Sequence, residues 1–141
     1  MIDSELKFSV ERDEYTLNGA IDLVYRINDD EIGILDYKNA KSNDYKIWSY
    51  SRQLYTYASA LNELEDFKNK TISEAKIHFV ESGVEDIKIN EDLIKDQENK
   101  LRDVAIKIEN GEYPKITELH PDRENKFCEY CEFKFICDKC N

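Results

Sequence analysis

Glu31-Ile32-Gly33-Ile34-Leu35-Asp36-Tyr37-Lys38 is the stretch on which the fold turns. An apolar run of strand length closes on an acid, an aromatic and a base, and such a run reads as a buried strand. Strand alternation then puts Asp36 and Lys38 on one face, about 7 Å apart along the strand, and turns Tyr37 to the other. An acid and an amine side by side at a strand end have the chemistry to hold a divalent cation and a water between them.

Working outward towards the N-terminus, Leu6, Phe8 and Val10 alternate with Lys7, Ser9 and Glu11, the pattern of a half-buried strand. Residues 15–27 form a second extended run, with Asp13 and Glu14 as the turn before it and Asn28-Asp29-Asp30 as the turn after it. Residues 5–38 therefore predict a three-stranded antiparallel meander. With a three-residue loop at 28–30, Ile27 faces Glu31 and Asp22 faces Asp36, with side chains within roughly 5.5 Å. A four-residue loop moves the partner of Asp22 to Tyr37. Facing carboxylates repel unless a cation or a proton intervenes. Their oxygens suit Mg²⁺ or Mn²⁺. Such a metal polarises a phosphodiester and lowers the pKa of a bound water. Lys38 would orient or help deprotonate that water, or stabilise charge developing on the phosphoryl oxygens. The plainer alternative is a surface hairpin of ordinary acids with a salt bridge to Lys38.

Downstream the period changes. Trp48, Ser51, Leu54, Tyr55, Ala58, Leu61 and Leu64 recur at three and four, which predicts a helix over 48–64 with that stripe buried. Gln53 and Tyr57 share a helix face at i,i+4. Gln53 is placed to contact a phosphate or orient a catalytic side chain, Tyr57 to stack on a base or sugar, and Arg52 to reach a phosphate. Residues 74–81 read as a strand, 85–89 as a further short one. Residues 90–109 read as a charged helix capped by Asn90 and stopped by Gly111, with Leu93, Ile94, Leu101, Val104, Ala105 and Ile108 as its buried stripe. A helical crossover lets the third and fourth strands run parallel. The order βββ-α-β-(β)-α predicts an α/β or α+β domain with a mixed sheet.

Twenty basic and 31 acidic residues give a net charge of −11. A field of that sign repels nucleic acid and anionic membranes at long range and argues against a DNA-coating role. It leaves room for a DNA-processing site whose carboxylates a metal neutralises, with a neighbouring domain supplying the basic groove. No apolar run approaches the roughly 20 residues that span a bilayer, and no signal peptide opens the chain. The four cysteines, Cys128, Cys131, Cys137 and Cys140, all follow residue 127 at spacings x₂, x₅ and x₂. Clustered CxxC pairs read as metal ligands in a reducing compartment, which predicts a cytoplasmic protein. Four thiolates suit one structural Zn²⁺ or a [4Fe-4S] cluster.

The ordered set Gly19-x-x-Asp22, Asp36-Tyr37-Lys38 and Gln53-x-x-x-Tyr57 resembles the RecB-like branch of the PD-(D/E)XK nuclease superfamily. That branch includes nuclease domains fused to helicases, the AddA/AddB subunits and Cas4-type exonucleases. The resemblance runs from about Glu5 to the C-terminus and implies a restriction-endonuclease-like core. It implies that Asp22 and Asp36 bind the divalent metal, with the Tyr37 backbone carbonyl as a further ligand. It implies that Lys38 is catalytic, that Gln53 and Tyr57 lie beside the DNA, and that Glu5 matches a glutamate opening the first core strand. The implied partners are DNA and a helicase domain in the same full-length chain or a partner subunit. Cys128, Cys131 and Cys137 match the Cys-x₂-Cys-x₅-Cys ending of Cas4-like and AddB-like members, where a distant upstream cysteine completes an iron–sulfur cluster. No upstream cysteine exists here, which leaves two expectations: the fourth ligand is lost with a missing N-terminal segment, or Cys140 replaces it locally, which the family pattern does not predict. The upstream helix carrying a metal-binding histidine in many members has no counterpart before residue 5. The only histidines are His78, read as structural, and His120. The expectation is an N-terminally truncated nuclease-like core over 1–125, with a cysteine module at 126–141 packed on it. A second reading is an acidic docking module with vestigial catalytic positions.

Overall fold

The computed structural model describes residues 3–112 together with Glu132. The elements run β1 (Asp3–Glu11), β2 (Thr16–Arg26), β3 (Glu31–Lys38), α1 (Asp44–Leu61), β4 (Thr71–Phe79), β5 (Gly83–Ile87) and α2 (Glu91–Glu109). The five strands form one sheet in sequence order, antiparallel except between β3 and β4, where α1 makes the crossover. This is the mixed α/β sheet expected from the pattern, with β3 on the residues that predicted it.

The β2–β3 loop has three residues. The Ile27 N–H donates to the Glu31 carbonyl at 3.0 Å, and Asn28 Oδ1 accepts the N–H groups of Asp30 and Glu31, each at 2.9 Å. That turn sets Arg26 opposite Ile32 and Leu23 opposite Leu35. Phe8, Val10, Ile21, Val24, Ile32 and Ile34 pack with Leu54, Ala58 and Leu61 of α1 and with Ile72, Ala75, Ile77 and Phe79 of β4. Each of the Val, Leu, Ile and Phe side chains in this set contributes about 1.5–3 kcal/mol relative to exposure.

Several boundaries differ from the sequence expectation for local reasons. Helix α1 starts four residues before Trp48, because Asn43 Oδ1 accepts the Lys46 N–H at 2.9 Å and caps a polar first turn. Trp48 does not open the buried stripe: it is 55% exposed. The buried arc centres on Leu54, Ala58 and Leu61, and Trp48 lies about a third of a turn away. β4 begins at Thr71, whose N–H donates to the Asp30 carbonyl at 2.8 Å. In α2, Asn90 Oδ1 caps the Leu93 N–H at 2.9 Å as expected, and Gly111 ends the helix at φ +70°. The expected apolar stripe of α2 is only partly realised. Ile94 and Gln97 are buried, Leu93, Leu101 and Ala105 are half-buried, and Val104 is exposed. The helix meets α1 through polar groups instead, with Gln97 Nε2 donating to Thr56 Oγ1 at 3.2 Å and Ser59 Oγ to Glu98 Oε1 at 2.7 Å.

The chain divides into a unit Met1–Ala105, holding the sheet, α1 and most of α2, and a unit Ile106–Asn141. The expected boundary near residue 125 lies outside the described residues, as do Cys128, Cys131, Cys137, Cys140 and His120. No helix among the described residues is long and apolar enough to cross a membrane.

Candidate active site

The β2–β3 ladder runs in register from Arg26/Ile32 to Leu23/Leu35, and the next pair would be Asp22 and Asp36. There the strands part. Asp22 Oδ2 stands in for a backbone carbonyl and accepts the Tyr37 N–H at 2.8 Å. Ile21 and Val24 are both wholly buried although three residues apart, so the side-chain alternation of β2 slips by one at this point. On β1, Ser4 pairs with Leu23 and Leu6 with Ile21. Between them Glu5 adopts φ +54°, the left-handed region that non-glycine residues seldom occupy. The irregular backbone is thus concentrated around Asp22.

Gly19 of the same strand lies opposite Phe8. A Cβ at Gly19 would come within 2.6 Å of Phe8 Cζ, so only glycine lets the ring lie flat there. Phe8 in turn meets Tyr57 edge-on, with centroids 6.1 Å apart. The first motif glycine therefore seats the aromatic that supports the last motif tyrosine.

Asp36 shares the α1-facing side of β3 with Ile32 and Ile34 and is 3% exposed. Lys38 Nζ lies 2.6 Å from Asp36 Oδ2 as an ion pair. Among the described residues this ammonium is the one cationic group paired with that buried oxygen. Burial raises the Asp36 carboxyl above its ordinary pKa; Lys38 pulls it down, and the nearby charge of Asp22 adds to the rise.

Helix α1 completes the arrangement. Lys38 Nζ donates to Gln53 Oε1 at 2.9 Å, and Gln53 Nε2 donates to the Tyr57 hydroxyl. Nζ also sits 4.7 Å from the centroid of the Tyr50 ring. The sequence reading missed Tyr50, although 50, 53 and 57 share one helix face and that spacing was there to find. The Tyr57 ring is buried against Phe8, so it is not offered to a base. Burial raises its hydroxyl pKa; the Gln53 hydrogen bond lowers it, while Asp36 and Asp22 raise it further. Tyr37 points to the opposite face, half exposed, its ring 5.4 Å from that of His78. Asp22, Asp36, Lys38, Gln53 and Tyr57 thus converge, and the backbone of Tyr37 lies between the two acids.

The donor set fits a hard divalent cation. A buried carboxylate beside a second carboxylate is the oxygen chemistry such ions take. Among the described residues no group of three or more His, Cys, Asp or Glu side chains gathers as a ligand cluster. Two carboxylates suit Mg²⁺, which keeps several waters and is commonly held by one or two carboxylates plus substrate phosphates.

The family model of the PD-(D/E)XK nuclease superfamily matches residues 1–138, and the chain belongs to that superfamily. Among curated proteins and solved structures, none matches the chain.

Proposed function

We propose that the domain is a divalent-metal-dependent DNA nuclease of the RecB-like branch, hydrolysing phosphodiester bonds at the Asp22–Asp36–Lys38 site. The observation that carries this reading is Asp36: a carboxylate buried at a cost, beside a second acid and with a lysine 2.6 Å away. Asp22 and Asp36 would hold Mg²⁺ or Mn²⁺, with the Tyr37 carbonyl as a further ligand. When bound, the ion would polarise the phosphodiester and lower the pKa of a coordinated water. Lys38 is held by Gln53 and Asp36 with its Nζ at the site, where it orients the attacking water or neutralises charge developing on the phosphoryl oxygens. Gln53 fixes Lys38, and Tyr57, anchored by Phe8, fixes Gln53.

The net charge of −11 supports a helicase domain or partner subunit holding most of the DNA. The cysteine spacing supports a structural Zn²⁺ or [4Fe-4S] staple in a reducing, cytoplasmic setting. A second reading, a docking module with a vestigial site, is favoured by the ligand set of only two carboxylates among the described residues. The full chain is incubated with end-labelled single-stranded and duplex DNA, with and without Mg²⁺ or Mn²⁺. Metal-dependent cleavage that Asp22→Ala abolishes is the expected result. Cleavage unaffected by Asp22→Ala would remove the site from the mechanism.

A further inference from the structure

A second feature of α1 takes no part in this site. Tyr45 and Trp48, each 55% exposed, lie in its first turns with ring centroids 6.1 Å apart and planes tilted by 32°. One turn further on, the Arg52 guanidinium carbon lies 5.3 Å from the centroid of the Trp48 ring. Arg52 is held from behind as well. Its Nε donates to Gln97 Oε1 at 3.3 Å, and the buried Gln97 is itself oriented by its bond to Thr56. With its face on Trp48 and its Nε on Gln97, Arg52 has neither Nη bonded to any described residue.

The charge along this stretch is of opposite sign to that of the chain as a whole. Beyond Lys38, which is paired with Asp36, residues 39–53 carry Lys41, Lys46 and Arg52 against one acid, Asp44. A cationic, aromatic stretch inside a chain of net charge −11 favours a polyanion with flat rings over an acidic or apolar protein surface. A surface Trp–Arg pair alone would be unremarkable as a helix contact at i,i+4. The second exposed ring and the buried glutamine that pins the guanidinium are what that explanation leaves over. Base–aromatic stacking contributes about 1–3 kcal/mol per base in single-strand binders and tolerates any sequence. An arginine with open Nη groups adds paired bonds to a phosphate.

We propose that Tyr45, Trp48 and Arg52 form a stacking platform for single-stranded DNA, with a base on Trp48 and an adjacent phosphate on the Arg52 Nη groups. The proposal rests on the reading of the site as a DNA nuclease and names which form of DNA it engages. At 3.6 residues per turn Trp48 and Gln53 lie about 140° apart around α1, so the platform flanks the reacting phosphate rather than lining it. It grips the strand beside the bond to be cut.

Trp48 is the only tryptophan in the chain, so its fluorescence reports on the platform alone. The full chain in EDTA, which prevents cleavage, is titrated with an oligothymidine of about 15 nucleotides at low salt. Saturable quenching is expected, weakening as salt rises. Arg52→Gln should bind about 10-fold more weakly with a shallower salt dependence. Trp48→Leu, followed by anisotropy of a labelled strand, should lose between about 5- and 150-fold. Absence of quenching, or equal quenching by a blunt duplex or by polyglutamate, overturns the platform. The two readings separate cleanly. Quenching without metal-dependent cleavage keeps the platform and sinks the nuclease site, whereas cleavage without quenching does the reverse.

Discussion

Asp36→Asn should abolish cleavage and at the same time make the protein more stable. The side chain keeps its volume and loses its charge. In the wild type that charge sits on a carboxyl 3% exposed, and burial outweighs the help it receives from Lys38, so the folded-state pKa is raised. A raised acid favours the fold while protonated. That contribution is fully present below the ordinary aspartate pKa and is lost as pH rises through the folded value. At neutral pH the ionised group is therefore a cost, and Asn stands in for the neutral form. Against this, Lys38 loses the carboxylate 2.6 Å away; it keeps Gln53 and a side chain 19% exposed to water, which limits the cost of leaving it unpaired. A net gain of about 1 kcal/mol would read as about 3 °C in Tm for a chain of this size.

The assay is thermal unfolding of both proteins in EDTA across pH, with and without added Mg²⁺. The Tm of Asp36→Asn should exceed that of wild type at pH 7, and the gap should close as the pH falls to about 4. Mg²⁺ should raise the Tm of wild type and leave the variant unchanged, because the proposed site needs both carboxylates to hold the ion. A drop of several degrees for Asp36→Asn in EDTA would refute the argument. It would mean that the Asp36–Lys38 pair is a structural ion pair whose breakage costs the fold.

Other substitutions separate chemistry from support. Lys38→Gln should lower the cleavage rate about 10²–10³-fold yet preserve the Mg²⁺-induced rise in Tm, since the lysine is not a ligand. Tyr57→Phe keeps the packing on Phe8 and removes the hydroxyl that fixes Gln53, so kcat should fall less than for Gln53→Ala, which is expected to cost about 10–100-fold. Gly19→Ala should destabilise the fold by about 1–3 kcal/mol in a denaturant titration, because its Cβ meets the Phe8 ring. Arg12→Met should cost about 2–3 kcal/mol in the same titration. Arg12 bonds Ser59 Oγ at 2.5 Å, Glu63 Oε1 at 2.6 Å and the Tyr15 hydroxyl at 2.7 Å, and its loss leaves the wholly buried Ser59 without that partner.

The features legible in the sequence are those written in local period. Alternation along Leu6–Val10 and the apolar run of β3 marked the strands, and the helical spacing at Leu54, Ala58 and Leu61 marked the crossover; the register was open between a three- and a four-residue loop, and the Ile27–Glu31 and Asn28 hydrogen bonds decide it. The helix start escaped because the first turn of α1 carries no apolar period, although Asn43 followed by Asp44 is a capping signal. The exposure of Trp48 escaped for a related reason. A residue at the margin of an amphipathic stripe is buried or exposed according to what lies beyond it, and here the neighbouring groups are Arg52 and Gln97 rather than apolar side chains. The Arg12 cluster joins a hairpin turn to Ser59 of α1 and to Glu63 just beyond it, across 47 and 51 residues, a separation that leaves no periodic trace.

The same distinction explains where the site lies. A regular β2–β3 ladder would continue to pair Asp22 with Asp36 and spend the Tyr37 N–H on a backbone carbonyl. Instead the strands part, and the Asp22 side chain takes that N–H while Glu5 on the next strand adopts a left-handed backbone. Asp36 stays buried at that point, because α1 covers its face through Gln53 and Tyr57. A carboxylate is thereby held out of water beside a second acid, with Lys38 as its cationic neighbour. That is an unfavourable place for a charge and a favourable one for binding a cation. The local sacrifice of sheet regularity and the raised pKa of Asp36 are two consequences of one geometry. For this reason the stability gain of Asp36→Asn and its loss of Mg²⁺ response should appear in the same protein.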